Sequence, residues 1–369
     1  MNRRTGALSP SKRLWFALVV GLGVYALSAV PGARQEQARG PAQGTSQLQV
    51  LPVRGNVYVL VGAGANITLS IGKEGALLVD AGTASMADNV VATVRELTRA
   101  VTASPATARP CAGQGCVGVT YPALLGIIAS PAPPRPIQFI VNTNADPDHT
   151  GGNTKVAQSG TTFGGGPGLG AFQAVVKASA MIYAHENVLA RMSAAKAPTA
   201  ALPTETYVKD LKQFFNGEGI QFIHQPAAHS DGDTLVHFRG SDVISTGDIL
   251  STVNYPVFDV ARGGSIDGVI DGLNRLLDLA IAEYQTEGGT LLVPGHGRVC
   301  DAGDLATYRD AVTIIRDRVK DMIKRGMTLA QVKAARPTKD YDPRYETPAW
   351  TKDMFVEAMY KSLTAPAGK

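Results

Sequence analysis

The chain has 369 residues, 44% of them hydrophobic, with 40 Gly and 22 Pro. That suffices for one large compact domain or two small ones and is too apolar for a disordered protein. The formal net charge is +4, but of the 35 basic residues four, Arg3, Arg4, Lys12 and Arg13, lie within the first thirteen residues, which leaves 31 against 31 acidic residues; a body this close to neutral shows no basic stripe for nucleic acid and argues against a nuclease.

Those four basic residues lead into an apolar run, Leu14 to Val30, then PGARQEQARG. A positive flank, an apolar segment and small residues near Ala29 or Ala33 match an export signal over residues 1–33. An uncleaved anchor is the alternative, because the run is near the lower limit for spanning a bilayer. On either reading the body is periplasmic or extracellular, and it meets a membrane only if the segment is uncleaved. In that oxidising setting Cys111 and Cys116, in RPCAGQGCVG, suit a small local disulfide, and Cys300 is left as a buried free thiol or, alternatively, as a partner for one of the other two.

After a polar linker over residues 34–46, LQVLPV, NVYVLV, ANITLSIG and GALLVDAG read as consecutive strands bounded by Gly or Asn. Residues 86–100 place apolar side chains at helical spacing. Residues 102–136, rich in Pro, Ala and Gly, read as a loop insertion, and FGGGPGLGAF as a flexible loop, since no Lys-Ser/Thr follows it. Between them IQFIVNT is a buried strand that ends at NADPDHTGGN. ASAMIYAHENVLARM gives a strand and then a helix. A second strand-rich block contains IQFIHQP, DTLVHFRG, DVISTGD and TLLVPGH, with an amphipathic helix capped by Ser265 before the last of these. Charged helical segments follow from Asp304 onward. Two strand-rich halves with interposed helices imply packed sheets with helices outside, an α/β architecture.

Of six His in the chain, three lie in turns at strand ends: DPDHTGG, AAHSDGD and VPGHGRV. Asp248, in STGDIL, reads as an acid directly after an apolar strand. A lone His beside Gly is more often a surface or capping residue than a ligand. Here four segments share one setting of apolar strand, turn, ligand-type residue and small residues, and strand-end loops on a rigid scaffold are where reactive groups collect. Asp148, His149, His229, Asp248 and His296 therefore form a candidate metal cluster.

DHTGGN, AHSDGDT, TGD and PGHG, in this order, together with the opening strands that end at Asp80-Ala81-Gly82, resemble the metallo-β-lactamase-fold hydrolase superfamily over residues 47 to 300. The resemblance implies an αββα sandwich over residues 47–303 with a helical extension over 304–369. It also implies one or two divalent ions, zinc first among them, at the edge between the sheets. By position, Asp148, His149 and His296 would form the second metal site, Asp248 would bridge, and His229 would belong to the first. The family pattern His-x-His-x-Asp-His is replaced by Asn144-Ala145-Asp146-Pro147-Asp148-His149. Asn144 is a weak neutral ligand; one lactamase subclass has Asn here and works with a single zinc. Asp146 can coordinate, tilting the first site toward iron or manganese and making water there less acidic.

Three readings follow. Two ions bind, the first through Asp146, His229 and Asp248; or only the second site fills, and Asn144 and Asp146 act as hydrogen-bonding or general-base groups; or the site is degenerate and the fold is a binding or sensor protein. The enzymatic readings imply a hydrolase that uses metal-activated hydroxide on an ester, lactone, thioester or amide bond of a small molecule, with Asp148 orienting the nucleophile. A true β-lactamase fits less well, because family lactamases usually have Cys or Ser at the position of Asp248. Asp231 and Asp233 are expected to hold the turn after His229, with Asp231 also supporting a ligand from behind; His185 reads first as a satisfied structural His and second as such a support. His224 and His237 read as packing or surface residues, and Tyr255 with its loop as a wall of the substrate pocket.

Overall fold

The computed structural model describes residues 48–102, 136–161, 179–280 and 288–365. The N-terminal segment and linker, most of the 102–136 insertion with Cys111 and Cys116, and the FGGGPGLGAF loop lie outside the described residues. No described helix is long and apolar enough to cross a membrane.

The four early runs form β1 (Gln49–Arg54), β2 (Val57–Val61), β3 (Ile67–Gly72) and β4 (Gly75–Val79), antiparallel in sequence order. β5 (Ile137–Val141), β6 (Met181–His185) and β7 (Glu205–Tyr207) extend this sheet in parallel. The second sheet runs in the order β12 (Leu291–His296), β11 (Val243–Ser251), β10 (Asp233–Phe238), β9 (Glu218–Gln225), β8 (Leu211–Phe215). Only its β11–β12 pair is parallel.

Central strands lack polar alternation because both of their faces are covered. On β4, Leu77 and Val79 meet Phe222, Val236, Phe238 and Val293 of the other sheet. Leu78 points outward onto α1 (Ala87–Thr102), whose Val90, Val91 and Val94 share its cluster. The outer face of the second sheet is covered by α5 (Ile266–Leu279) and α6 (Ala302–Lys324), numbered after α2 (Pro147–Thr150), α3 (Asn153–Gln158) and α4 (Glu186–Ala194). The Ser265 side chain accepts from Gly268 N at 2.9 Å, the N-cap read from sequence. α7 (Leu329–Ala334), α8 (Asp342–Tyr345) and α9 (Lys352–Thr364) complete this layer. Val332, Tyr345, Phe355 and Met359 belong to the same core as Leu273 and Ile249, so the helical extension is built into the sandwich. Cys300 is a buried free thiol in that core.

The sheets are tied at one edge. Asn66 N donates to Gly295 O at 2.8 Å, Asn66 Nδ2 to Pro294 O at 2.9 Å, and Thr234 N to Thr143 O at 2.8 Å. That edge collects the ends of β4, β5 and β12 and the start of β10.

Candidate metal centre

Two groups of ligand-type side chains converge at this edge, Asp148 with His149 and His296, and Asp146 with His229 and Asp248; within each group the ligand atoms lie within 4.8 Å of one another. They sit in an open cleft of about 330 Å3, lined also by Ser251, Val253, Asn254, Val257 and Thr347.

Local sequence explains the aim of each group. Asp146 precedes α2, where Pro147 starts a single helical turn, and His149 N donates to Asp146 O at 3.0 Å. That turn carries Asp148 to the cleft and buries His149 completely. Asp80, just past β4, takes Thr143 N at 2.8 Å on one oxygen, and Thr143 Oγ1 at 2.7 Å and His149 Nδ1 at 2.8 Å on the other. A carboxylate only accepts, so Nδ1 carries a proton and Nε2 is the nitrogen left for a metal, which would compete with a proton there. His149 Nε2 lies 3.0 Å from Asp248 Oδ2 but outside hydrogen-bond geometry, a buried nitrogen with no hydrogen-bond partner. His229 is oriented the same way by its Nδ1, which donates to Val257 O at 2.9 Å.

Asp248 lies inside β11, not after it. Gly247, at φ 51, forms a bulge against β12 and packs on Thr143, which turns the Asp248 carboxylate inward. Gly295 is required opposite it, since a Cβ there would collide with Asp248 Oδ1. His296, at the end of β12, places Nε2 3.2 Å from Asp148 Oδ2 and 3.5 Å from Asp248 Oδ1.

The charges are strongly coupled. Burial alone would raise the Asp248 carboxyl, but the neighbouring imidazoles outweigh it and hold it far below the usual range. The hydrogen bond to His296 lowers Asp148 against the cost of burial. Burial disfavours a charged His229, yet its bond to Asp146 and the charges of Asp248 and Asp233 push it up to about 9. For His149 burial likewise opposes charge, and Asp248 and Asp80 drive its pKa well above normal. Concentrated carboxylates facing imidazole lone pairs call for a cation. The Asp148, His149 and His296 set fits a divalent ion, with Asp248 as a further oxygen.

The other group is more encumbered. Both oxygens of Asp146 face Arg262: Nη1 donates to Oδ1 in a close ion pair, and Nη2 lies 3.4 Å from Oδ2. Asp146 Oδ2 also meets His229 Nε2 at 3.1 Å. Burial would raise this carboxyl, but the bonds from His229 and Arg262 hold it well below the carboxylate range. Asn144 turns its Nδ2 toward Asp248 Oδ2 at 3.0 Å, while its Oδ1 accepts from Asp146 N at 2.9 Å. It therefore turns its donor to Asp248, as in the reading that makes it a hydrogen-bonding group.

The remaining polar residues have structural roles. His185 caps α4, accepting from Asn187 N at 3.2 Å and facing Val208 O with its other nitrogen, and it stacks on His224 with centroids 3.6 Å apart. Asp231 is held by Arg191 at 2.6 and 2.7 Å and touches no ligand imidazole with its carboxylate. Asp233 does hold the turn after His229, through Ser230 N at 2.8 Å and Ser230 Oγ at 2.6 Å. Tyr255 is buried, stacked on Phe355 and bonded to Asp342, so Val253, Asn254 and Val257 form the wall instead. Sequence reasoning missed Arg262 and gave Asp80 no role; the apolar strand running into Asp-Ala-Gly was the available sign for Asp80.

Among solved structures, the chain is similar to a metallo-beta-lactamase from Pontibacter korlensis, at 14% identity and a TM-score of 0.46, covering 72% of this chain and 99% of that one. It is similar to the inverting sec-alkylsulfatase Pisa1 from Pseudomonas sp., at 15% identity and a TM-score of 0.53, covering 85% of this chain and 50% of that one. The likeness extends to DIM-1 metallo-beta-lactamase, at 14% identity and a TM-score of 0.48, over 72% of this chain and 97% of that one. A search of curated proteins finds no match. At such identities the structures speak for fold alone. The family model described as the metallo-beta-lactamase superfamily matches residues 52–296, a span that begins in β1 and ends on His296, and the chain belongs to that superfamily.

Proposed function

We propose that the protein is a metal-dependent hydrolase acting on an ester, lactone, thioester or amide bond. The observation that carries this reading is His149: Asp80 holds its ring through Nδ1, and its fully buried Nε2, without a hydrogen-bond partner, lies 3.0 Å from the carboxylate of Asp248, which lines the cleft with Asp148 and His296. A divalent cation there, zinc by the His and carboxylate character of the set, supplies Lewis acidity that polarises a carbonyl and acidifies water.

The chain's own groups divide the remaining work. Asp148 is ionised at neutral pH and open to the cleft, so it can hold the attacking water and accept its proton. His229, held through Nδ1 by Val257 O, keeps its Nε2 at the cleft beside Asp146 and Asp248. Val253 and Val257 give one wall an apolar surface suited to an acyl group. Arg262's hold on Asp146 favours one second reading, a silent binding or sensor protein on the same fold.

Elemental analysis of wild type and His149→Ala, with turnover measured on one substrate of each bond class and on a carbapenem, tests the proposal. Stoichiometric metal lost in the variant, with turnover on at least one class, is expected. Metal without turnover selects the binding protein, and no metal ends both readings. The basic and then apolar N-terminus supports an exported protein; fractionation and N-terminal sequencing of the mature chain test that.

A further inference from the structure

The Arg262 guanidinium is a built feature rather than a surface side chain resting by chance on a carboxylate. It belongs to a 3₁₀ turn, Val260–Arg262, that is assembled on the backbone of His229: Asp259 N donates to His229 O at 2.9 Å, and Asp231 N to Arg262 O at 3.0 Å. Arg191 Nη2 also donates to Arg262 O, at 2.6 Å. Gly263 closes the turn at φ 80, and a Cβ on Gly264 would strike His229 O, so the turn seats against the backbone of His229, between β9 and β10, only with glycine there. Asp259 Oδ2 fixes Arg262 Nε at 2.8 Å, leaving both terminal nitrogens of the guanidinium for Asp146. A planar fork held at its root matches a carboxylate in a way a mobile ammonium would not.

That pairing empties the first site of ligands. Neither oxygen of Asp146 is free, and Asn144 shows donors. His229 and Asp248 remain, and Asp248 Oδ2 already faces His149 and Asn144. Two side chains fall short of the three or four protein ligands that hold a divalent ion firmly.

We propose that the Arg262 guanidinium stands where a second cation would otherwise sit, so that the protein holds one divalent ion, at Asp148, His149 and His296, and excludes another. The arginine then acts as a fixed internal counter-ion that sets metal stoichiometry. This concerns the same site as the hydrolase reading but does not depend on hydrolysis: a protein with one ion and no turnover would keep this inference and lose that reading.

The test is zinc titration of metal-free full-length protein, followed by calorimetry and by elemental analysis after gel filtration. Wild type should retain one ion. Arg262→Ala and Arg262→Met, which free Asp146, should retain two, with second-ion affinity at least about 100-fold tighter than any second binding to wild type. Arg262→Ala combined with Asp146→Asn should return to one. The cobalt-loaded proteins should report the same counts by visible absorbance. Two ions retained by folded wild type overturns the proposal without any variant. So does a single ion in both folded Arg262 variants.

Discussion

Asp80 accepts the Nδ1 proton of His149 at 2.8 Å from a backbone held at φ 69, a left-handed position that Asp tolerates better than most residues. The strand end that carries Asp80 is thus shaped to steer an imidazole it never accompanies in sequence. Asp80→Asn keeps the shape but removes the charge that selects the tautomer. Metal affinity should fall about 10- to 100-fold, read by competition against a chromogenic chelator, with little change in the melting temperature of metal-free protein.

Gly295 offers a steric prediction. Gly295→Ala drives a methyl group into Asp248 Oδ1 and the Gly247 carbonyl. Displacing that carboxylate should cost about 1–3 kcal/mol of stability and most of the metal binding. Gly219→Ala, in β9 with nothing within 4 Å of the added carbon, should stay within about 0.5 kcal/mol in the same melts.

The metal-free protein should be most stable in mildly acidic solution. His229 has a folded pKa of about 9, above its unfolded value of 6.5. Its contribution is complete below the unfolded pKa and disappears as pH rises through 9. The size is about 3 kcal/mol. Asp146 and Asp148 are lowered, so their contributions are present above the unfolded carboxylate pKa and lost as pH falls below it. Denaturant melts of chelator-treated protein from pH 3 to 10 should show a maximum at about pH 4.5–6.5. A maximum above about pH 8 would contradict the sign for His229.

Metal uptake should release protons. His149 has its pKa raised well above normal by Asp248 and Asp80 despite burial, and a divalent ion competes for the same Nε2. Affinity should therefore rise with pH, and calorimetry in buffers of different ionisation enthalpy should show about one proton released per ion near pH 7.

Phe355 should matter for both stability and substrate affinity. It is fully buried in α9 and stacks on Tyr255 at 4.6 Å between centroids. Phe355→Ala should cost about 3–5 kcal/mol. It should also raise KM more than it lowers kcat, since Tyr255 anchors the loop that carries Val253, Asn254 and Val257. Tyr255→Phe, which loses the hydroxyl's 2.9 Å bond to Asp342 and its 3.3 Å contact with Thr338 O, should cost about 1–3 kcal/mol.

What could be read from sequence follows from the range of the forces involved. β2 and β4 announced themselves as apolar runs because burial on both faces leaves no polar alternation, and Ser265 announced a helix start through its local bond. β8 escaped notice because its side chains alternate between exposed and covered, and Phe214 faces solvent. Gly247 looked like the end of a strand but is a bulge whose partner, Thr143, is remote in sequence. The cluster was legible as residue types at strand ends. The pairing of Arg262 with Asp146 joins residues 116 positions apart with no local pattern to mark it. Tyr255 was placed on the cleft because its neighbours line it, whereas stacking on a distant helix draws it into the core.

Thr347, which reaches the cleft from the segment between α8 and α9, gives the C-terminal helices a share in the mouth of the site, although every candidate ligand lies at or before residue 296. The rim of the cleft is therefore shared between the stretch that carries the candidate ligands and the tail beyond it. Exchanging side chains around Thr347 would reshape that rim without touching a candidate ligand, whereas cutting the tail away would strip the cover from Ile249, Leu250 and Leu273.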